Sequence, residues 1–209
     1  MANESVVNAS NSEAQEMVDV VFDLNGSAVP ASYPFILWSE LLRCLPWLGD
    51  TGNIGVHPLR GSASGDNILL SRRTKLILRL PAERAAEAYS LSGQQLNIDG
   101  NVLIVGQARD RPLQAATTLH SYIVESKLGE VEFLADMKQK LQAMNIPCNL
   151  ICDKYRKIND GNNSLSGFGL VLHDLKPAAS LHIQRTGLGG SHYLGCGIFV
   201  PFKSISGLD

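Results

Sequence analysis

Five histidines are the side chains of this 209-residue chain best suited to proton transfer, because an imidazole has an ordinary pKa of about 6.5. His57 stands in a long glycine-rich connection, between Gly55 and Pro58. The residues alone leave open whether His57 is a general base or an ordinary loop histidine. The patterns around the other four histidines favour other roles. His120 and His182 are expected to pack or to face solvent, and His173 is expected to form a hydrogen-bonded pair with Asp174. His192 lies inside a second glycine-rich loop.

A second informative feature is the spacing GxGxxxxxGxG, which runs from Gly187 and Gly189 to Gly195 and Gly197, with Gly190 inside it. Glycine adopts positive φ at no steric cost and lets another backbone approach closely, so this spacing predicts a loop shaped around a bulky ligand or a packed neighbour. A dinucleotide fingerprint is excluded, because it needs a preceding strand and a following helix. A Walker A loop is excluded as well, because no glycine precedes the lysine here.

The charge balance argues against a protein that coats nucleic acid nonspecifically. The formal net charge is −2 and the isoelectric point is about 6.2, whereas such a protein would be basic overall. The basic residues nevertheless cluster in three places, which are Arg72, Arg73, Lys75 and Arg79; Arg109 and Arg111; and Lys154, Arg156 and Lys157. A local basic groove on a nearly neutral protein is therefore expected.

Composition indicates a globular protein that needs no metal, cofactor or disulfide to fold, since 44% of its residues are hydrophobic. Cys148 and Cys152 fall on one predicted strand, which places their α-carbons about 13 Å apart and disfavours a disulfide or a shared zinc. Residues 1–16 are polar and are expected to form a disordered tail. We find no signal peptide or transmembrane run, and expect a cytoplasmic protein with no membrane partner.

The first half of the chain shows strand and helix patterns in the order β, α, β, β, α, β. Strands are predicted at 17–24, 67–71, 75–80, 95–98 and 102–105, and helices at 33–45, with Ser32 as its cap, and at 82–91.

The second half repeats this order. Strands are predicted at 117–125, 148–152, 167–172 and 197–200, and helices at 177–186 and at 130–144, with Val131, Leu134, Met137 and Leu141 facing inward. We therefore predict an α+β fold of two tandem ferredoxin-like (RRM-like, βαββαβ) domains, at 17–107 and 117–209, joined near 107–116. The glycine-rich loop lies between the last helix and the last strand of the second domain.

This arrangement resembles a known family. The sequences that carry the resemblance are the glycine-rich loop followed by GCGIFVPFKS, IGVHPLRG at 54–61, and LSRRTKLILRLP at 70–81. Together they resemble the CRISPR-associated endoribonucleases of the RAMP superfamily that cut precursor CRISPR RNA, in the subgroup from myxobacterial and cyanobacterial loci. The resemblance spans about residues 17–206. In that subgroup a histidine often stands where this chain has Phe202.

The resemblance implies metal-independent cleavage of a CRISPR repeat transcript at the base of its hairpin. The catalytic histidine of the family follows the first helix, which matches His57; it would accept the proton of a ribose 2′-hydroxyl and leave a 2′,3′-cyclic phosphate. By the same resemblance Tyr33 would position the scissile phosphate. Arg60 would stabilise the charge on the phosphorane. The enzyme would then stay on its product and join other subunits of a CRISPR effector complex.

RNA binding is expected to depend on the phosphate backbone, because an A-form stem hides its base edges in a deep groove. The predicted RNA-binding residues are Arg72, Arg73, Lys75, Arg109, Arg111, Gly187, Gly189, Gly190, His192, Gly195, Gly197 and Lys203. Arg72 and Arg73 are adjacent, and adjacent residues of extended chain point to opposite faces, so at most one of them would face the same ligand. Arg109 and Arg111, two apart, would share one side of an extended linker.

Two other functions compete with cleavage. A non-catalytic subunit that binds the hairpin of CRISPR RNA, in a surveillance or transposon-targeting complex, would use the same fold and groove. An acylphosphatase-like hydrolase needs an arginine just after the first strand, and the sequence LNGSAVP has none. The aromatic pattern of a classical RRM is also missing.

Overall fold

The structure, a computed structural model, describes residues 15–203. The predicted tail at 1–16 therefore lies outside the described residues except for its last two. No helix in the described part of the chain is long and apolar enough to cross a membrane.

The first half forms a five-stranded antiparallel sheet. Its strands, in spatial order, are β3 (Gly55–Val56), β6 (Lys75–Pro81), β1 (Met17–Asn25), β8 (Asn101–Pro112) and β7 (Gln95–Ile98). The helix α1 (Tyr33–Cys44) and the single turn α2 (Ala85–Ala88), which 3-10 turns flank, contribute to a core with one face of this sheet. The order β3-β6-β1-β8 is that of a βαββαβ ferredoxin-like domain, with β7 added at the edge.

A small three-stranded sheet is formed by one strand before α1 and two strands between α1 and β6. It consists of β2 (Ala28–Pro30), β5 (Asn67–Leu70) and β4 (Gly61–Ser64), in the order β2-β5-β4. The strand predicted at 67–71 therefore exists, but it pairs in this small sheet and not in the main one.

The second half forms a four-stranded antiparallel sheet. Its strands are β10 (Asn149–Asn159), β11 (Ser164–His173), β9 (Leu119–Glu125) and β12 (Val200–Pro201), in that spatial order. The helices α3 (Glu130–Ala143) and α4 (Pro177–Thr186) share a second hydrophobic core with one face of it. The tandem ferredoxin-like fold predicted from the sequence is thus confirmed.

Several local predictions were wrong. The helix at 82–91 is only one α-helical turn between two 3-10 turns. Val131 was expected to face inward but is 78% exposed, and Phe133 takes its place in the core. The strand at 148–152 continues to Asn159 because it pairs with β11 along its whole length, apart from a bulge. The last strand was predicted at 197–200 but covers only Val200–Pro201.

The interdomain linker is shorter than predicted. β8 stays hydrogen-bonded to β1 as far as Pro112, which pairs with Val18. Arg109 and Arg111 therefore lie on a strand of the first sheet and not in a linker. Their side chains share one face of that sheet, as their spacing in an extended segment requires.

Candidate functional site

One face of the first sheet carries a cluster of charged side chains around Asp19. The register places Asp19 of β1 between Arg79 of β6 and Arg111 of β8. The Arg79 Nε atom lies 2.8 Å from Oδ1 of Asp19, its Nη2 lies 3.2 Å from Oδ2, and Nη2 of Arg111 lies 2.8 Å from Oδ2. Burial acts to raise the pKa of Asp19, but His57 and Arg79 outweigh it and hold the pKa well below its usual range. Asp19 is therefore an anion at neutral pH.

His57 lies beside this carboxylate, with its Nε2 atom 3.3 Å from Oδ1 of Asp19. The residue is buried, with 6% of its surface exposed, and Nε2 makes no hydrogen bond that meets ordinary geometric limits. Burial lowers the pKa of His57, although Asp19 opposes this effect. The imidazole is therefore mostly neutral near pH 7, the state that a general base requires.

Tyr33 and Arg60 flank His57 in different ways. The hydroxyl oxygen of Tyr33 accepts a hydrogen bond of 2.8 Å from the backbone N–H of Leu59, and Tyr33 is buried. Burial raises the pKa of Tyr33 well above its ordinary value. The hydroxyl thus fixes the segment that follows His57 and does not face an open surface. Arg60 is exposed, and its carbonyl accepts a hydrogen bond from Thr74.

Arg79 also joins the two halves of the molecule. Its Nη1 atom donates to the carbonyl of Gln184 at 2.9 Å and to the carbonyl of Phe199 at 2.8 Å. One buried guanidinium therefore contacts Asp19 in the first domain and two carbonyls of the second. From the sequence, Arg79 is recognised only as a member of a basic cluster, and Asp19 carries no predicted role. The available signal was an aspartate at every fourth position of an otherwise apolar strand, at Asp19 and Asp23.

The glycine-rich loop packs against the segment that carries His57. A Cβ atom on Gly195 would lie 3.2 Å from Cγ of Pro58 and 3.3 Å from the carbonyl oxygen of Val56. Gly195 and Gly197 are buried and have φ of 89° and 62°, which glycine adopts most easily. Of the two alternatives predicted from the glycine spacing, a ligand or a packed neighbour, Gly195 and Gly197 therefore have the packed neighbour.

The remaining residues of the loop divide into a buried base and an exposed tip. A Cβ atom on Gly187 would overlap the ring of His192, so this imidazole fills the space that the glycine leaves. Burial lowers the pKa of His192, and its Nε2 atom is covered without a hydrogen-bond partner. Gly189 and Gly190 are exposed, so the tip of the loop is the part that a ligand can reach.

The predicted RNA-binding cations lie in three places. Lys75 and Arg109 both contact Asp23, at 2.8 and 3.3 Å, on the face of the first sheet that carries Asp19 and the half-exposed Arg111 side chain. Arg72 and Arg73 lie in the turn between β5 and β6, where the N–H of Thr74 donates to the carbonyl of Ser71. Arg72 and Arg73 are therefore turn residues, and the prediction that extended geometry points them to opposite faces was wrong. Lys203 is exposed beyond β12.

Comparison with known proteins places the chain in a family. The sequence model described as "Cas6 Crispr" matches residues 18–204. The chain belongs to the Cas6 family. A protein of Myxococcus xanthus (strain DK1622) named CRISPR-associated endonuclease Cas6 is 32% identical over 186 residues, which cover 88% of this chain and 81% of that protein. The resemblance drawn from the sequence is thereby confirmed.

Solved structures show the same fold at low sequence identity. A Cas6-related protein from Pyrococcus furiosus superimposes with a TM-score of 0.62 at 11% identity, covering 90% of this chain and 99% of that one. Thermus thermophilus Cse3, bound to an RNA that represents a pre-cleavage complex, superimposes with a TM-score of 0.52 at 14% identity, covering 88% and 98%. These likenesses support the tandem ferredoxin-like architecture of this Cas6 protein.

Proposed function

We propose that this Cas6 protein is a metal-independent endoribonuclease that cuts CRISPR repeat transcripts at the base of the repeat hairpin. Membership of the family, with an endonuclease relative at 32% identity, makes RNA cleavage the first function to consider. The observation that carries the proposal is the packing of the glycine-rich loop on the segment 56–58, which puts a candidate base beside a candidate RNA contact. A mature CRISPR RNA would remain bound, and the pair would join other subunits of an effector complex.

The proposed reaction is an internal transesterification. The ribose 2′-oxygen attacks the adjacent phosphorus and gives its proton to a base. The new bond joins the 2′-oxygen to phosphorus, and the bond from phosphorus to the 5′-oxygen breaks. The products are a 2′,3′-cyclic phosphate and, once the leaving oxygen gains a proton, a 5′-hydroxyl. Every step can be performed by side chains, so the proposal needs no metal.

We assign the base role to His57. Its lowered pKa keeps the imidazole neutral, and the adjacent Asp19 carboxylate can orient the ring and stabilise the imidazolium that forms. This role requires the ribose to reach the ring, whose Nε2 atom is covered in the described structure. Tyr33 is proposed as a positioning residue, because its hydroxyl holds the backbone of Leu59. Arg60 is exposed and is proposed to stabilise the phosphorane oxygens.

RNA would be held by contacts to its phosphates. Arg109 and Arg111 project from one face of β8, and their side chains are 58% and 50% exposed. Lys75, Arg72, Arg73 and Lys203 would extend the basic surface, and the amides of Gly189 and Gly190 would approach the backbone at the loop tip. Such binding weakens as salt rises, because phosphate contacts release counterions.

The test uses labelled repeat RNA, transcribed from the array beside the gene, in excess chelator. Cleavage that leaves a 2′,3′-cyclic phosphate is expected from the wild-type protein, whereas a requirement for magnesium would overturn the mechanism. His57→Gln should cut about 100- to 10,000-fold more slowly and still bind the hairpin. Since His57 is buried, circular dichroism and thermal unfolding must show that the variant is folded.

A second function is favoured by the covered imidazole itself. If His57 never meets RNA, the protein could be a non-catalytic subunit that binds the hairpin of CRISPR RNA in a surveillance or transposon-targeting complex. Wild-type protein that binds the repeat hairpin tightly and cuts none of it would establish this alternative.

A further inference from the structure

A second histidine lies on the open face of the C-terminal sheet, away from the helices. His120 of β9 is only partly buried, with 19% of its side chain exposed, and its Nε2 atom lies 3.6 Å from Oδ2 of Asp153 on β10. The Nη2 atom of Arg156 lies 3.0 Å from the same oxygen. The result is an accessible imidazole next to a carboxylate that an arginine holds in place.

A glycine between the two strands makes this arrangement possible. β11 lies between β10 and β9, and Gly169 of β11 stands beneath the crossing side chains. A Cβ atom on Gly169 would lie 2.7 Å from Oδ2 of Asp153 and 2.7 Å from Nη1 of Arg156, closer than ordinary contacts allow. The missing side chain lets the carboxylate pass over β11 toward His120.

The groups around His120 suit a nucleic acid. Tyr122 is 46% exposed, and the guanidinium carbon of Arg156 lies 4.2 Å from the centre of its ring. Phe202 is 48% exposed, and its ring centre lies 5.2 Å from that of His120. Exposed aromatic rings can stack on unpaired bases, and a partly exposed guanidinium such as that of Arg156, with 18% of its side chain exposed, can bind phosphates.

The first domain also reaches this face. The positive charge of Arg60 is close enough to lower the pKa of His120. Ile198 contacts Gly55 of β3 in the first domain, since a Cβ atom on Gly55 would lie 3.0 Å from Cδ1 of Ile198. Val200, two residues later, pairs with His120. The short segment 198–200 therefore joins the neighbourhood of His57 to that of His120.

We propose that His120, held by Asp153 and Arg156, is a second catalytic residue that donates a proton to the 5′-oxygen as it leaves phosphorus. This inference rests on the proposed ribonuclease function. The imidazolium of His120 gives up one proton, the bond from phosphorus to the 5′-oxygen breaks, and its electron pair takes that proton. His57 accepts one proton from the 2′-hydroxyl while His120 gives one to the 5′-oxygen. The two imidazoles together therefore carry the same number of protons before and after cleavage.

The charges that face His120 fit a proton donor. Burial lowers the pKa of His120, the carboxylate of Asp153 opposes this, and the guanidinium groups of Arg156 and Arg60 add to the lowering. A lower pKa makes the imidazolium a stronger acid toward an alkoxide leaving group. Asp153 stabilises that imidazolium, so the protonated fraction of His120 at neutral pH falls less than burial alone would make it fall.

The deciding experiment changes the leaving group. Repeat RNA is made with sulfur in place of the bridging 5′-oxygen at the mapped scissile position, because a thiolate leaves without a proton donor. His120→Ala should cut the ordinary RNA about 100- to 10,000-fold more slowly and cut the sulfur substrate at a rate near wild type. His57→Gln should be slow on both substrates, because the 2′-hydroxyl still needs a base.

Two further variants separate catalysis from folding. Gly169→Ala keeps the His120 side chain but must displace the guanidinium of Arg156 and the whole side chain of Asp153, whose Cβ would lie 2.9 Å from the new one. It should therefore show a smaller loss that the sulfur substrate also restores. His182→Ala, on α4 at the opposite face of the sheet, is the matched control and should cut both substrates like wild type.

The outcomes separate this inference from the proposed function. Wild-type protein that cuts neither substrate contradicts the ribonuclease function, and the role of His120 with it. Wild-type cleavage combined with an unaffected His120→Ala, or with an equal loss on both substrates, overturns the role of His120 alone.

Discussion

The buried ion pair between Arg79 and Asp19 gives the sharpest prediction about stability. Arg79→Met removes the guanidinium and leaves the Asp19 carboxylate, of which only 4% is exposed, with a half-exposed arginine and a neutral imidazole. It also removes the hydrogen-bond donor of two carbonyls in the second domain, those of Gln184 and Phe199. Methionine fills much of the same volume, so the loss is mainly electrostatic.

The magnitude follows from the cost of leaving one buried charge unpaired. Breaking such a pair from one side costs about 3–5 kcal/mol. In a chain of this size each kcal/mol shifts Tm by about 2–4 °C, so we expect Tm to fall by about 6–20 °C. Arg109→Met is the matched control, because Arg109 makes a similar contact to Asp23 on the same face but is 58% exposed. An exposed pair is worth about 0–1 kcal/mol.

Two probes of urea unfolding show where the loss arises. Both tryptophans, Trp38 and Trp47, belong to the first domain, and the ring of Trp38 also lies 5.1 Å from that of Tyr193 in the second. Fluorescence therefore follows the first domain and its interface, whereas circular dichroism follows both domains. The two transitions should coincide in wild type and separate in Arg79→Met, because the interdomain hydrogen bonds are gone. Asp19→Asn combined with Arg79→Met should cost less than the sum of the single changes. A loss below about 1 kcal/mol in Arg79→Met, against the 3–5 kcal/mol expected for a buried pair, refutes this reasoning.

The other predictions concern the loop, the tyrosine and pH. Gly197→Ala should destabilise the protein markedly, because the φ of Gly197 is 62° and the new Cβ would overlap the carbonyl of Leu188. Gly190→Ala, at the loop tip, is the control and should unfold like wild type. Thermal unfolding of the two variants measures the difference. Tyr33→Phe should cost about 1–3 kcal/mol in urea unfolding, since a buried N–H loses its acceptor. Because the folded protein lowers the pKa of His57, the stability this residue contributes is full above its unfolded pKa of about 6.5 and is lost as pH falls below that value. The difference in unfolding free energy between wild type and His57→Gln should therefore shrink between pH 7.5 and 5.5, and a difference that grows would contradict the burial of a neutral ring.

The sequence predicted the fold because its apolar periodicity is strong where the cores are. MVDVVFDL at 17–24 alternates enough to define β1, and the order of elements in each half then limits the topology. The two-residue strand Gly55–Val56 carries no periodicity, so its pairing with β6 could not be predicted. Val131 and Phe133 are two positions apart in α3, and the pattern alone did not tell which of them packs in the core.

The site was harder to predict, because it depends on contacts between distant segments. His57 was singled out from the sequence as a candidate base, and that role stays a prediction. Its position beside the ion pair of Asp19 and Arg79 depends on two other strands. The pair of His120 and Asp153 depends on an absent side chain at Gly169. Such a relation between three strands leaves no mark on sequence spacing.

The two histidines impose opposite demands on the same interface. Burial lowers the pKa of His57 and also covers its ring. The catalytic role proposed for His57 therefore requires RNA binding to uncover the ring. His120 is already reachable, but its charge depends on Asp153. The segment 198–202 runs from the contact of Ile198 with Gly55, past the pairing of Val200 with His120, to the exposed Phe202. Contacts made by RNA at Phe202 would therefore act on the neighbourhood of His57 through a few residues of chain. On this reasoning Phe202→Ala should weaken cleavage more than hairpin binding, and equal losses in both would show that the segment transmits nothing.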